Sequence, residues 1–367
     1  MNNPCGLYLH IPFCSSKCLY CDFFSKADNS NEISVYVEHM LRIIKSYGKK
    51  YSNKIFDTIY IGGGTPSVIG TENLIKIISA AKSNFNMITP EITIEMNPNS
   101  ALNIDFNLLA NIGVNRISLG VQSSNENELK ILGRTHKNSD VVKAVKMIKN
   151  SGINNVSLDL MVGISEQDKQ SLQQSIDFCI SQQPTHISAY ILKVEDNTPY
   201  KKLAPNLNLP DDDKQAELYE FMQSYLTKNG YEQYEISNFA KKGFESRHNI
   251  KYWNCDEYLG LGASAHSMIE EKRFYFPRCN NDFYNNNIIP DGAGGTAEEY
   301  IMLRLRLKDG LYFKEFENIF GFPLPKNCIS VAKKYMSIDL TEITNEKINL
   351  TSKGFLVSNT IIAEMLE

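Results

Sequence analysis

The stretch YLHIPFCSSKCLYCDFFS, residues 8–25, places Cys14, Cys18 and Cys21 in the spacing C-x3-C-x2-C, directly after an apolar segment that is typical of a strand. Thiolates are soft ligands that select zinc or iron–sulfur clusters. A structural zinc site needs four ligands, and no fourth cysteine lies beside these three. A cluster held by three cysteines keeps one iron open to an exogenous ligand. The spacing therefore favours an iron–sulfur cluster with an open coordination position.

Zinc stays an alternative on spacing alone, because His10 or Asp22 could supply the fourth ligand. The remaining cysteines are scattered along the chain, at Cys5, Cys179, Cys255, Cys279 and Cys328. Scattered cysteines argue against a disulfide framework. We therefore expect a cytoplasmic protein, since thiols stay reduced in that compartment.

The composition excludes several classes of protein. The net charge of −4 over 367 residues gives no electrostatic support for nucleic acid as the main partner. The first residues, MNNPCGLYLHIPFC, lack the basic and apolar regions of a secretory signal. No apolar run approaches the roughly 18 residues of a membrane span, so we expect no transmembrane segment.

One unit recurs from Gly6 to about Leu192: a short apolar strand, a polar motif and an amphipathic helix. The first helix shows the pattern clearly, with Met40, Ile43 and Ile44 on one face. Strands that alternate with helices predict βαβ units and a parallel sheet. Six such units fit either an open doubly wound sheet or a barrel.

Polar groups at the strand ends distinguish the open sheet from the barrel. They occur at or near the carboxyl end of each of the six strands, at Cys14, Gly62 to Gly64, Glu95 with Asn97, Gln122, Asp159 and Tyr190. An open sheet gathers ligands at one switch point, whereas in a barrel every strand end faces one site. We therefore predict an α/β fold with a (β/α)6 partial TIM barrel.

The regular alternation of strands and helices ends after Leu192. From about Thr296 a smaller unit begins, in which helices are followed by a hairpin with a central glycine. This pattern predicts a small C-terminal α+β domain of winged-helix-like type. The predicted division is a core barrel over 1–240, a connecting segment over 241–295 that carries an H-N-x-x-Y-W motif, and a small domain over 296–367.

A second motif, the stretch GGGTPS at residues 62–67, makes the cysteine motif more specific. It lies at the end of the second predicted strand. Alone, three glycines are as well explained by a tight turn, but they also permit a ligand to approach the backbone and leave amide donors free. Together the two motifs resemble the radical S-adenosylmethionine superfamily. That resemblance implies a radical SAM core, a 4Fe–4S cluster and bound S-adenosylmethionine, which the cluster cleaves to a 5′-deoxyadenosyl radical. It also implies an electron donor such as flavodoxin or ferredoxin.

Further motifs between Tyr8 and Ser267 narrow the resemblance to the coproporphyrinogen III dehydrogenase-like family. They are YLHIPFC, GGGTPS, EMNP, GVNRISLGVQS, LGRTH, DLMVG, HISAYIL, YEISNFA, RHNIKYWN and LGLGASAHS. The resemblance implies Cys14, Cys18 and Cys21 as cluster ligands. It implies an S-adenosylmethionine site made of Tyr8, Tyr20, Gly63, Gly64, Thr65, Glu95, Gln122, Arg134 and Asp159.

The resemblance assigns each of these residues a role. Gly63, Gly64 and Thr65 would hold the methionyl end, with Glu95 and Gln122 facing the same ligand. Arg134 would pair with a carboxylate and Asp159 would accept from ribose hydroxyls. Tyr8 would lie beside the cluster and Tyr20 near the adenine. The alternatives are strand-end caps for Glu95 and Asp159, and a surface position for Arg134.

The family has a dehydrogenase branch and a heme chaperone branch. In the dehydrogenase branch the cysteine motif has the spacing C-x3-C-x2-C-x-C, and a long N-terminal extension precedes it. In this chain Phe23 stands at the position of the fourth cysteine, and the first cluster cysteine is already residue 14. Both features favour the heme chaperone branch, which passes heme to hemoproteins of the respiratory chain. Coproporphyrinogen III dehydrogenase activity is the alternative, and a zinc-stabilised binding module is a more distant one.

The motif HNIKYW, residues 248–253, contains the only tryptophan of the chain. It predicts His248 as an axial ligand of heme iron, because imidazole is a common axial ligand in heme proteins. His10 and His266 are the next candidates. The competing interpretation is a histidine that braces two domains through hydrogen bonds.

Overall fold

A computed structural model describes residues 3–27 and 29–367, and it contains one large sheet, one small sheet and a two-stranded pair. The strands are β1 Cys5–Ile11, β2 Phe13–Cys14, β3 Lys26–Ala27, β4 Ile55–Gly63, β5 Asn86–Met96, β6 Arg116–Gln122, β7 Asn155–Val162, β8 His186–Ile191, β9 Glu232–Gln233, β10 Asn238–Ala240, β11 Tyr258–Leu261, β12 His266–Ile269, β13 Lys272–Tyr275, β14 Ile289–Ala293, β15 Leu311–Tyr312, β16 Thr341–Ile343 and β17 Lys347–Leu350.

The helices lie mostly between the parallel strands and in the C-terminal unit. They are α1 Ser30–Lys50, α2 Thr71–Asn84, α3 Pro98–Ala101, α4 Phe106–Asn111, α5 Glu126–Ile131, α6 Asn138–Asn150, α7 Lys169–Ser181, α8 Pro199–Leu203, α9 Asp212–Lys228, α10 Arg247–Trp253, α11 Asn280–Tyr284, α12 Ala297–Arg304, α13 Phe313–Phe320, α14 Lys326–Met336, α15 Ser352–Leu356 and α16 Ser358–Leu366. None of the helices in the described part of the chain combines the length and the apolar character that a membrane span requires.

Six parallel strands form the centre of the large sheet, in the order β1-β4-β5-β6-β7-β8. Each strand is joined to the next by a helical segment that covers one face, and Met40, Ile43 and Ile44 of α1 are buried against the sheet. The predicted α/β partial barrel is therefore confirmed. All six carboxyl ends lie at the same rim, because the strands are parallel. This rim carries the cysteine loop, residues 14–23.

The large sheet continues beyond the six strands at both edges. β11 pairs in parallel with β1, and β12, β13 and β14 follow in antiparallel order. These four strands come from residues 241–295, which the sequence pattern predicts only as a connecting segment. They are four or five residues long, too short for a periodic pattern to emerge from the sequence.

The C-terminal unit has its own small sheet, in the order β15-β17-β16, and a separate apolar core around Phe316, Ile348 and Phe355. This mixture of helices and strands is the α+β domain expected from the sequence. It is joined to the large sheet by an antiparallel bridge between Glu235 and Leu307. The same large sheet holds strands on both sides of residue 240, so the boundary at that residue stays a prediction.

Candidate functional site at the cysteine loop

The cysteine loop is held at its start and in its middle by contacts with other segments of the chain. Cys14 closes β2, and the hydroxyl of Thr65, at the end of β4, lies 3.4 Å from its Sγ atom. Leu19 donates its amide to the carbonyl of Leu132 at 3.2 Å and accepts from the amide of Tyr200 at 2.9 Å. These contacts place the cysteines over the carboxyl ends of the central strands.

The surroundings of the three cysteines disfavour their deprotonation to thiolates when no metal is bound. Burial is the largest cause that raises the pKa of Cys18, and the charge of Cys14 raises it further, while Arg134 lowers it. Burial likewise raises the pKa of Cys21, and both neighbouring cysteines add to the shift. Ligated cysteines must be deprotonated, so a cationic group is needed among these three sulfurs to compensate their charge.

The zinc alternative finds no support in this geometry. No group of three or more His, Cys, Asp or Glu side chains in the described residues converges closely enough to hold a single metal ion. Both nitrogens of His10 are engaged, at 2.9 Å from the Tyr8 hydroxyl and 3.0 Å from the Phe24 carbonyl oxygen. Asp22 pairs with Arg278. A cubane cluster, by contrast, places each cysteine on a different iron, so its ligands need not converge on one point.

The glycines of GGGTPS serve the packing of β4 against the cysteine loop. Gly63 has φ +107°, and a Cβ there would collide with the imidazole of His10. A Cβ on Gly64 would lie 2.6 Å from the carbonyl oxygen of Phe13. Small residues are therefore required here whether or not a ligand is bound.

The backbone amides of this stretch are not free, in contrast to the expectation from the glycines. Gly63 donates to Oε2 of Glu95 at 3.2 Å. Gly64 donates to the carbonyl of Ile11 at 2.8 Å and Thr65 to the carbonyl of Phe13 at 2.7 Å. The sequence could not reveal this, because the acceptors come from β1, β2 and β5. Any ligand contact at this stretch would use its carbonyls and its surface shape.

Arg134 is half-buried rather than on the surface, and it is held beside the loop. Its Nη1 donates to Oδ1 of Asn97 at 2.5 Å, and its Nη2 donates to the hydroxyl of Tyr20 at 2.7 Å. Asn97 in turn donates to the hydroxyl of Thr65 at 3.1 Å. A chain of polar contacts therefore runs from Arg134 to Cys14 and links residues from four segments of the sequence.

Two buried polar atoms at the same rim have no partner among the described residues. They are Oε1 of Gln122 and Nε of Arg134. Gln122 also has φ +67°, an uncommon conformation for a residue with a side chain. Buried polar atoms are normally satisfied, so each exception points to a ligand or a stored strain. An acceptor and a donor left open at one rim fit a zwitterionic ligand such as S-adenosylmethionine.

Glu95 lies on the inner side of the sheet near its rim. Its Oε1 accepts from the Tyr60 hydroxyl at 2.6 Å, and burial raises the pKa of its carboxyl. The sequence motifs predict no role for Tyr60, and they name Asn97 only together with Glu95. The signal for both was available, because Tyr60 alternates with Gly62 on one strand face and Asn97 directly follows β5.

Asp159 lies deeper in the barrel than its neighbours at the rim. It is three residues before the end of β7, about 10 Å at the usual rise of a strand. Its carboxylate accepts from the hydroxyls of Ser118 at 3.0 and 3.1 Å and of Ser157 at 3.1 Å. Burial raises its pKa. Its predicted contact with a ribose stays a prediction.

His248 is fully buried, and both of its ring nitrogens are engaged. Nδ1 lies 2.7 Å from the hydroxyl of Thr58, and Nε2 lies 2.8 Å from the hydroxyl of Tyr252. The ring stacks on Tyr60 with centroids 5.0 Å apart. Heme ligation by His248, predicted from the motif, does not fit this arrangement, because neither nitrogen is open to an iron atom. The bracing role is the one that the contacts favour.

The other two histidine candidates lie in different surroundings. His10 is buried beside the cysteine loop with both nitrogens engaged, and burial lowers its pKa to about 4. His266 is exposed on β12 and stacks on Tyr275, with ring centroids 4.8 Å apart. Of the three, only His266 presents its ring to solvent.

Comparisons with known proteins agree with this geometry. The model of the radical SAM superfamily matches residues 8–179, and that of the HemN C-terminal domain matches residues 296–357. A protein of Lactococcus lactis named heme chaperone HemW is 33% identical over all of this chain and 98% of its own length. The heme chaperone HemW of Bacillus subtilis is 32% identical over 98% of both chains. The chain belongs to the HemW family.

A solved structure supports the fold of this HemW family member. The structure of coproporphyrinogen III oxidase (HemN) from Escherichia coli, described as a radical SAM enzyme, superposes with a TM-score of 0.85. The superposition covers 99% of this chain and 90% of the other, at 19% sequence identity. At this level of identity the likeness concerns the fold, including the C-terminal domain.

Proposed function

We propose that this HemW family member binds heme and delivers it to hemoproteins of the respiratory chain. The observation that carries the proposal is the similarity, over nearly the whole length, to proteins named heme chaperones. Similarity of that extent includes both the barrel and the C-terminal domain, so it concerns the complete arrangement and not only the shared superfamily core.

The cysteine loop supports a carrier over a dehydrogenase. Phe23 stands where the dehydrogenase pattern has its fourth cysteine, and 70% of its side chain is exposed. The loop is therefore in contact with water at this point. A site that handles a carbon radical needs to exclude solvent. An exposed aromatic at this point suits a surface that meets another protein.

Within this function, we propose that Cys14, Cys18 and Cys21 hold one 4Fe–4S cluster and that the rim residues bind S-adenosylmethionine. The cluster would supply one-electron chemistry when bound. Arg134 would then satisfy its open Nε atom on the carboxylate of the ligand, while Asn97 and Tyr20 hold its guanidinium in place. The remaining proposed contacts are Tyr8, Gly63, Gly64, Thr65, Glu95, Gln122 and Asp159.

We further propose a cytoplasmic location and a small electron-transfer protein, such as flavodoxin or ferredoxin, as the donor. All eight cysteines are free thiols, which fits a reducing compartment. The exposed Phe23, two residues after the third cysteine of the motif, would give such a donor a contact close to the cluster.

The test is a parallel titration of anaerobically reconstituted protein with heme and with coproporphyrinogen III, the latter with reductant and S-adenosylmethionine. We expect saturable heme binding and no protoporphyrinogen. Multiple turnovers to protoporphyrinogen without saturable heme binding would instead establish the dehydrogenase. Transfer to an apo-hemoprotein is then measured with the heme-loaded sample.

A further inference from the structure

A cavity of about 530 Å³ lies at the seam between the barrel and the C-terminal domain. Its walls come from the end of β8, from α9 and from the segment around α15 and α16. The volume lies within the range of sites for small ligands. The cavity is also open to solvent, so a ligand larger than the cavity can project from it.

The two sides of this seam cavity are fixed relative to each other. Glu235 and Leu307 form an antiparallel bridge, and Ile236 donates its amide to the carbonyl of Arg306 at 3.0 Å. Lys308 donates its amide to the carbonyl of Tyr234 at 3.0 Å. Backbone contacts on both sides of Arg306 therefore set the position from which its side chain enters the cavity.

Arg306 supplies a positive charge to the lining of the cavity. Its Nη2 donates to Oδ1 of Asn359 at 3.1 Å, and its guanidinium lies over the ring of Trp253, with 5.9 Å to the centroid. Its buried Nε has no acceptor among the residues that the structure describes, and Arg306 takes part in none of the ion pairs found there. The nearby buried Glu235 has a pKa raised to about 7 by burial, so its charge only partly offsets Arg306.

The rest of the lining is mixed, with Lys193 and four uncharged polar side chains beside an apolar and aromatic wall, and it approaches the rim of the barrel. Tyr219, Phe355 and Leu356 form apolar wall, and Tyr190 at the end of β8 is 41% exposed. Burial is the largest cause that raises the pKa of Tyr190, and the charges of Asp159, Glu235 and Glu95 raise it further, so its phenol lies within electrostatic reach of two residues of the proposed S-adenosylmethionine site. A ligand in the seam cavity would therefore be a neighbour of that site.

We propose that the seam cavity binds a tetrapyrrole through its carboxylates, with Arg306 as the carboxylate partner and the aromatic wall against the macrocycle. A guanidinium without an ion-pair partner suits a carboxylate, and an amphipathic cavity suits a flat apolar ring that carries acidic side chains. This inference rests on the proposed function and locates the heme at the seam, where Trp253, the last residue of the HNIKYW motif, lies against Arg306.

The test compares metal-free protoporphyrin IX with its dimethyl ester, by fluorescence titration of reconstituted protein. We expect the wild-type protein to prefer the diacid by roughly ten- to a hundred-fold, as a charge-assisted hydrogen bond provides. Arg306→Met should lose this preference while it still binds the ester. The matched control is Lys308→Met, an exposed lysine outside the cavity, which should keep the preference. Equal binding of diacid and ester by the wild-type protein, or an unchanged preference in Arg306→Met, overturns the proposal.

A second variant covers the case in which Arg306→Met does not fold. Leu356→Trp fills the cavity without a change of charge and should weaken both porphyrins; unchanged binding in this variant also overturns the proposal. Heme titration of the same variants separates the two proposals. Normal heme binding by both variants would reject the seam site and leave the chaperone function standing, whereas a wild-type protein that binds no heme rejects the function itself. A coproporphyrin III titration shows whether the site prefers two carboxylates or four.

Discussion

The Nδ1 atom of His248 lies 2.7 Å from the hydroxyl of Thr58, at the end of the barrel opposite the cysteine loop. Thr58 is five residues before Gly63, the last residue of β4, which is about 16 Å at the usual rise of a strand. Both backbone amides at the start of α10, of Arg247 and His248, donate to the carboxylate of Glu91 at 3.1 Å. The HNIKYW segment therefore closes the amino end of the barrel.

This position leads to the first prediction. His248→Ala should lower the free energy of unfolding by about 2–4 kcal/mol, because it removes a buried ring and leaves Thr58 and Tyr252 without a partner. The heme spectrum should stay unchanged. Denaturant unfolding and heme titration measure the two effects. His266→Ala, at an exposed ring, is the control for stability and should change it by less than about 0.5 kcal/mol. A lost heme spectrum at unchanged stability would restore His248 as the ligand.

The second prediction concerns the cluster. Replacement of Cys14, Cys18 and Cys21 together by alanine should abolish the iron and sulfide incorporated on anaerobic reconstitution, because all three thiolates are needed as ligands. Cys255→Ala and Cys279→Ala are the controls, since both cysteines are half-buried like Cys18 but lie outside the loop. Iron and sulfide at the wild-type level in the triple variant would show that the cluster is elsewhere.

The third prediction concerns S-adenosylmethionine. Arg134→Met should weaken its binding roughly ten- to a hundred-fold, because a charge-assisted hydrogen bond to the carboxylate is lost. Calorimetry on reconstituted protein measures this affinity. The control is Arg42→Met, at an exposed arginine of α1. Gly63→Val is not a clean test of the same site, since the collision with His10 would disturb the fold itself. Wild-type affinity in Arg134→Met would exclude the assigned role.

The fourth prediction is a dependence of stability on pH through Glu235. Burial raises the pKa of its carboxyl from 4.5 to about 7 in the folded protein. The folded state therefore holds a proton that the unfolded state has released, so stability falls as pH rises from about 4.5 through 7 and then levels off. The loss is roughly 3 kcal/mol. Glu235→Gln should remove this part of the slope, as thermal unfolding between pH 5 and 8 would show. Parallel profiles for the two proteins would contradict the assignment.

Local patterns in the sequence were sufficient for the central fold. The alternation of apolar residues predicts each of the six parallel strands, and the spacing of Met40, Ile43 and Ile44 predicts the buried face of α1. Such patterns repeat within a few residues, so a single element suffices to show them. The four short strands from residue 258 onward could not be predicted in this way, because each one is defined by its neighbour in the sheet and not by its own sequence.

The sequence by itself determined the class of this protein, since the cysteine spacing, the glycine stretch and their order along the chain are local features that survive without a structure. Only the tertiary structure decided what each polar side chain faces. It satisfied both nitrogens of His248, occupied the amides of Gly63 to Thr65, and left Nε of Arg306 open at a seam between two domains. A hydrogen bond depends on distances of about 3 Å between segments far apart in the chain, and no spacing within one segment encodes these distances.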